Sequence, residues 1–250
     1  MKTIKNALQI LALFKDEERP LGVNDVAERL GYGKSHVSRV LGAMRDMDFL
    51  QQDPATRKYT VGLEAFALGA RYIADTPLTR TALPVMREIS NETGDSVFLS
   101  IRHGLVCRHI LAVEGPYFTE TRWRVGVRLP LHASASGKIL LAFAPDREDL
   151  LGQLRLDRST PNTIVDRKRF DAELAKTRSQ AYSTSREEQV VGLAACAVPL
   201  YGEQEALVAA LSIVMPEHLL PEKKLKEIIG TLHTGARRLS SLYGARVYPH

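Results

Sequence analysis

"VNDVAERLGYGKSHVSRVLGAMRDM", residues 23–47, decides how the first part of the chain folds. It reads as two short helices. The first runs from about Asn24 to Leu30, with Asn24 in the N-cap position, Val26, Ala27 and Leu30 on an apolar side, and Gly31 to end it. Gly33 and Ser35 open the second, in which Val37, Val40, Leu41 and Met44 form a stripe at helical spacing. Lys34, His36, Ser38 and Arg39 fall away from that stripe near the N-terminal end. Two short helices around a Gly-containing turn, the second with a small, polar and basic outer face, predict a helix-turn-helix. The chemistry suits a major groove. Ser35, Ser38 and His36 are small enough to approach base edges, and Arg39 offers a fork for guanine. Lys34 and the helix N-terminus suit phosphates.

The flanks extend this reading. Upstream, "MKTIKNALQILALF" has two lysines and an apolar run, as a signal peptide would. Gln9 interrupts the run, "KDEER" follows where small residues should mark a cleavage site, and Ile4, Ala7, Leu8 and Leu11 recur at helical spacing. It is read as a first amphipathic helix over Thr3–Lys15. Downstream, Phe49–Gln52 and Lys58–Val61 are short extended runs joined by "DPATR", a hairpin in the position of a wing. Arg57 and Lys58 near its tip suit phosphate or the minor groove. Residues 1–75 hold 11 basic and 10 acidic side chains, yet Arg29 to Arg45 carries four basic residues and no acid. A basic stretch inside a neutral module suggests a contact face. A small helical interaction domain with an ornamental hairpin is the bland alternative.

The 250 residues suffice for two ordinary domains, and the composition is that of a soluble globular protein. The net charge of +5 is mild support for an anionic partner. Cys107 and Cys196 show no metal or redox spacing and fit a cytoplasmic protein. No window approaches the roughly 18 apolar residues of a membrane span. The division expected is a winged helix-turn-helix over residues 1–62, a linker helix over 63–78 and a second domain over 79–250. Leu63, Phe66, Ala70 and Ile73 share one side of the linker helix, which a lone helix cannot bury. That side is a candidate dimer contact. Beyond it, helices at Thr79–Glu92 and at the chain's end flank strands "SVFLSI", "LVCRHILAV", "GLAACAVPLYG" and "EALVAALSIVM", with "TETRWRVG" also read as extended. The class is α+β with a largely antiparallel sheet.

"PLHASASGKILLAF", residues 130–143, carries the second domain's chemistry. It lacks the first glycine of a phosphate-binding loop, the first glycine of a nucleophile elbow, and a serine three before Lys138. What remains is a helix N-terminus behind small residues. Ser134 and Ser136 can cap or donate, and the free N–H groups favour an anion such as a small carboxylate. An ordinary capped helix that binds nothing stays open on this stretch alone. His103, His109 and His132 do not cluster as metal ligands, and no cofactor motif is present. Glu187 and Glu188 read as a loop face.

Residues 3–73, the block "RVGVRLPLHASASGKILLAF", "STPNTI" and "AYSTSREEQVVGLAACAVPL" together resemble the isocitrate lyase regulator (IclR-type) family of bacterial transcription regulators. The resemblance implies a winged helix that binds double-stranded operator DNA, a linker helix and a GAF-like effector domain. It implies homodimers or pairs of dimers, and control by small carboxylates. By position it puts the effector carboxylate at Ala135, Ser136 and Gly137. Further contacts fall at Ser185, Ala195, Ser212 and Val214, with Phe118, Trp123 and Leu129 as an apolar wall. Ser185 stands where relatives often carry an acid, and Ala195 where some have cysteine. Both are smaller, which suits a larger or aromatic acid. The competing reading is an enzyme fused to a DNA-binding domain, for which no nucleophile–base or metal set is present.

Overall fold

The computed structural model describes residues 2–15, 17, 19–115 and 125–250. Its backbone forms two compact units, residues 1–75 and 76–250.

The first unit contains α1 (Lys2–Phe14), α2 (Val23–Leu30), α3 (Lys34–Asp46), β1 (Leu50–Gln52), β2 (Tyr59–Val61) and α4 (Leu63–Asp75). Its core joins Ile10 and Phe14 of α1, Val26 and Ala27 of α2, Val37 and Leu41 of α3, and Leu50 and Tyr59 of the hairpin. Gly31 closes α2 with φ of 66°, and the Tyr32 N–H returns to the Ala27 carbonyl at 3.0 Å. A left-handed residue is needed there to aim α3, and glycine takes it without Cβ strain. The N-cap of α2 is Gly22, not Asn24: Asp25, in the first turn, accepts the Gly22 N–H at 2.7 Å. The hairpin is one residue shorter on each side than its sequence suggests, because Phe49 and Lys58 fall outside the ladder. Leu21 adds a bridge to Tyr59, so the segment before α2 is tied to the wing.

Two helices of this unit carry exposed apolar side chains. On α1 the buried side is Ile10 and Phe14, while Ile4 and Leu8 are 67% and 61% exposed. Of the expected stripe, Leu11 packs against this core and Ala7 is half-buried, whereas Ile4 and Leu8 lie on the side away from α2 and α3. On α4 no residue is buried, and Leu63, Phe66, Leu68 and Tyr72 all lie open.

The second unit is a six-stranded antiparallel sheet in the order β5-β4-β3-β8-β7-β6. The strands are β3 (Ser96–His103), β4 (Val106–Val113), β5 (Arg128–Pro130), β6 (Ser183–Arg186), β7 (Leu193–Tyr201) and β8 (Leu207–Pro216). α5 (Pro77–Thr93) and α9 (Glu222–Leu242) pack on one another and on the sheet. α6 (Ala135–Ala142) lies on the other face, backed by α8 (Arg167–Gln180), with α7 (Arg147–Gln153) beside it. Strand alternation separates the two sides. Ala197 and Ala210 join the core under α6, so Val198, Leu211 and Ile213 face the other way. Pro77 is the first residue of α5, where its missing N–H costs nothing. Most of "TETRWRVG" lies outside the described residues. Strands β5 and β6 were not anticipated.

Candidate functional site

The sheet face under α6 is built of small side chains. Register places Ser185 beside Ala195 and Ala195 beside Val214. A second row runs through Ser183, Ala197 and Ser212. Small residues on three neighbouring strands let the N-terminus of α6 come close. The serines then hold it there: Ser183 Oγ donates to the Ala135 carbonyl at 2.6 Å and Ser185 Oγ to the Ala133 carbonyl at 2.9 Å. Ser136 Oγ donates to Ser212 Oγ at 2.9 Å. Ser134 caps the helix, accepting the Gly137 N–H at 3.2 Å and donating to the Pro130 carbonyl at 2.8 Å.

These contacts leave a specific set of groups. The hydroxyl protons of Ser134, Ser136 and Ser185 are spent inside the protein. Helix geometry leaves the N–H groups of Ala135 and Ser136 without an intrahelical acceptor. Both residues line a narrow cleft with His109, Leu129, Ser134, Ser185, Gln189, Val190, Leu193, Ala194, Ala195, Ser212 and Val214. Two adjacent N–H donors at a positive helix end can take up a carboxylate. His109 stacks on Phe98 at 4.4 Å between ring centres and bonds Ser100 Oγ through Nδ1 at 2.8 Å. Burial pushes its pKa down to about 3, which favours the neutral ring. The enclosed space is about 20 Å³, room for about one water, so any organic acid must widen it.

Seven of the ten effector positions expected from sequence therefore line this cleft: Leu129, Ala135, Ser136, Ser185, Ala195, Ser212 and Val214. Gly137 does not line it. A Cβ there would sit 2.5 Å from Ser134 Oγ and 2.6 Å from the Leu131 Cα and carbonyl oxygen, so Gly137 is what lets the capped turn close. Gly137→Ala is expected to destabilise the protein by about 1–3 kcal/mol in denaturant unfolding, the usual range for overpacking against unyielding neighbours. Phe118 and Trp123 lie outside the described residues. His109, Ser134, Gln189, Val190, Leu193 and Ala194 also line the cleft and were not among the expected positions. Cys107 and His109 alternate on β4, which was the available signal for the histidine; the register shift beyond it pairs Leu111 with Leu99 on the other face.

Glu188 departs most from expectation. It is 8% exposed, not part of a loop face. Lys138, fully buried, reaches its Oε1 at 2.6 Å. Burial raises the Glu188 carboxyl above its ordinary pKa, against the pull of Lys138. Cys107 and Cys196 are free, buried thiols, each pushed up to about 12 by burial, and so unreactive. Among the described residues no group of His, Cys, Asp and Glu is placed to hold a metal ion. A larger, open groove of about 820 Å³ lies between α7 and α8. Its Arg167 and Arg178 donate to the carbonyls of Leu151, Leu154 and Ala142.

In the first unit, Lys34, Ser35, Ser38 and Arg39 are exposed on α3. Arg39 Nε rests 3.3 Å from the Ser35 carbonyl, along the outer face of the helix. His36 differs: it is half-buried, 3.5 Å from Asn6 Nδ2 and edge-on to Tyr32. Its ring braces α3 against α1 and is less free to reach a base. The wing tip is ordered by Asp53, whose Oδ1 accepts the N–H groups of Ala55 and Thr56 at 2.7 and 2.9 Å. Those bonds hold its carboxyl below the usual range. Arg57, with φ of 57°, and Lys58 stand exposed beside it.

A helix-turn-helix with a wing in one unit and a cleft at a helix N-terminus in the other point to the class of DNA-binding transcription regulators with an effector-binding domain. The family described as bacterial transcriptional regulator IclR C-terminal matches residues 70–241, and the IclR helix-turn-helix domain matches residues 3–54. The chain belongs to the IclR family of transcriptional regulators. It is 32% identical over 252 residues to the HTH-type transcriptional regulator KdgR of Escherichia coli K12, covering 99% of this chain and 95% of that protein. It is 29% identical to the HTH-type transcriptional repressor AllR of the same strain, over 99% and 92% of the two chains. The crystal structure of an IclR transcriptional regulator from Alicyclobacillus acidocaldarius superposes with a TM-score of 0.84 at 26% identity, covering 98% and 99%. An IclR homolog from Microbacterium hydrocarbonoxydans complexed with 4-hydroxybenzoate shares the fold, with a TM-score of 0.78 at 22% identity over 96% and 98%. The relatives are regulators, not enzymes.

Proposed function

We propose that this regulator binds operator DNA through α3 and the wing as a homodimer or a pair of dimers, in the cytoplasm. A small carboxylate in the α6 cleft changes that binding. The observation that carries the effector reading is the pair of first-turn N–H groups, of Ala135 and Ser136, at a cleft floored by Ser185, Ala195 and Ser212. The exposed apolar side chains of Ile4 and Leu8 on α1 and of Leu63, Phe66 and Leu68 on α4 support the assembly, with residues 63–78 as the linker. The effector favours one of two arrangements of the protein, and operator affinity shifts by no more than its preference between them.

The floor favours an acid larger than two carbons, aromatic or otherwise, because Ser185 and Ala195 are short and neither adds charge. The 4-hydroxybenzoate bound by a relative is a reasonable member of a test panel. Competitive binding of glyoxylate, pyruvate and benzoates checks this, and tightest binding by the two-carbon acid contradicts it. On the DNA side, Lys58→Ala is expected to weaken binding evenly across sequences. The slope of log affinity against log salt should fall by about one for each half-site, hence about two for a dimer, as loss of one phosphate contact per subunit requires. An unchanged slope in a salt titration would remove the wing tip from the interface.

A further inference from the structure

The first turn of α6 lines the cleft, and Lys138 stands just beyond it with a side chain only 1% exposed. Its ammonium meets three acceptors: Glu188 Oε1 at 2.6 Å, Glu173 Oε1 at 3.1 Å and the Thr184 carbonyl at 3.0 Å. An ammonium has three protons, so its capacity is filled. The acceptors belong to three separate pieces of structure. Glu173 is on α8, Thr184 is on β6 next to Ser185 of the cleft floor, and Glu188 is in the loop 187–192.

That loop forms a wall of the cleft through Gln189 and Val190, and Val190 is 40% exposed at the mouth. Its base is tied repeatedly. The Glu187 N–H donates to the Leu193 carbonyl at 2.7 Å, and Glu187 Oε1 accepts the Gly192 N–H at 2.7 Å. Thr160 and Thr163 donate to the carbonyls of Glu187 and Glu188 at 2.6 and 2.7 Å. The floor is sheet and the facing wall is helix, so the loop is the part that can yield when the narrow cleft widens. A buried lysine is a costly way to fill a core, and here its three bonds join the pieces that shape the cleft.

We propose that Lys138 is a positioning residue for effector recognition: it lies outside the cleft and fastens the 187–192 loop, one wall, to the helix that forms the other. The role rests on the reading of the cleft as the effector site.

The test uses the full-length protein, Lys138→Met and the double variant Lys138→Met/Glu188→Leu. The double variant matters because the single one strands the Glu188 charge inside the protein and can fail to fold. Melting, amide hydrogen exchange, and calorimetric binding of benzoate, 4-hydroxybenzoate, pyruvate and glyoxylate are measured on each. The double variant is expected to melt near the unsubstituted protein. Its Glu187, Gly192 and Leu193 amides should exchange about ten-fold faster or more, as loss of a charged hydrogen bond implies, while β7 and β8 amides do not change. The acid that binds the unsubstituted protein should bind about ten-fold more weakly. Should the double variant not fold, Glu188→Gln supplies the same comparison. Unchanged exchange, or faster exchange with unchanged acid affinity, overturns the role. If no acid of the panel binds the unsubstituted protein while the loop of the variant exchanges faster, the effector reading fails and the role with it, although the fastening stands.

Discussion

Arg39→Ala is expected to abolish sequence-specific operator binding while the protein stays folded. The side chain is exposed on the outer face of α3, where its Nε makes a long bond to the Ser35 carbonyl. Its loss leaves the core of Ile10, Val26, Val37 and Leu41 untouched, so stability should shift by no more than about 0.5 kcal/mol. A bidentate guanine contact is worth about 1–3 kcal/mol, and a symmetric dimer loses it at both half-sites. Specific affinity should then fall by roughly two orders of magnitude or more, toward the non-specific level, which phosphate contacts sustain. Fluorescence anisotropy with operator and scrambled duplexes, beside thermal melts, reads both quantities. Equal losses on both duplexes would make Arg39 a phosphate contact and move base reading to Ser35 and Ser38.

Ala195→Leu is expected to block the effector response without loss of DNA binding. Ala195 is half-buried on β7 and lines the cleft floor between Ser185 and Val214. A leucine there projects into the space an acid must occupy, and it does so from a position not sealed in the core. Stability should drop by no more than about 1–3 kcal/mol. The N–H groups of Ala135 and Ser136 stay in place, so failure to bind would report lost volume and not lost donors. The acid that shifts the unsubstituted protein's operator affinity should leave the variant's affinity flat up to concentrations of about 100 times the original Kd, where the unsubstituted protein is saturated. A variant with full response would move the effector elsewhere.

The sequence made some elements plain and hid others for physical reasons. The stripe Val37, Leu41 on α3 and the cap at Ser134 were legible because local spacing and capping chemistry determine them. The hairpin of β7 and β8 was legible as two apolar runs around a turn. Strand β6, "STSR", was not, because no residue in it is apolar: Ser183 and Ser185 point inward to bond the carbonyls of Ala135 and Ala133. The face of α1 was legible only in part, because Ile4 and Leu8 are as apolar as Ile10 and Phe14, and periodicity alone does not say which residues of a stripe meet a neighbour. The cleft positions were legible through family resemblance, whereas the pairing of Lys138 with Glu188 joins residues 50 apart. Composition gives no hint of it, and two adjacent glutamates look like solvated surface until the fold buries one.

The account's central claim is that this chain recognises particular operator DNA and alters that recognition when a carboxylate occupies the α6 cleft. The most direct test retains sheared DNA from the source organism on the purified protein, with and without each acid of the panel, and sequences what is held. The account predicts one or a few promoters enriched, with enrichment changed by one acid and unresponsive in Ala195→Leu. Enrichment of no promoter under any of these conditions, or enrichment that no acid alters, would contradict it.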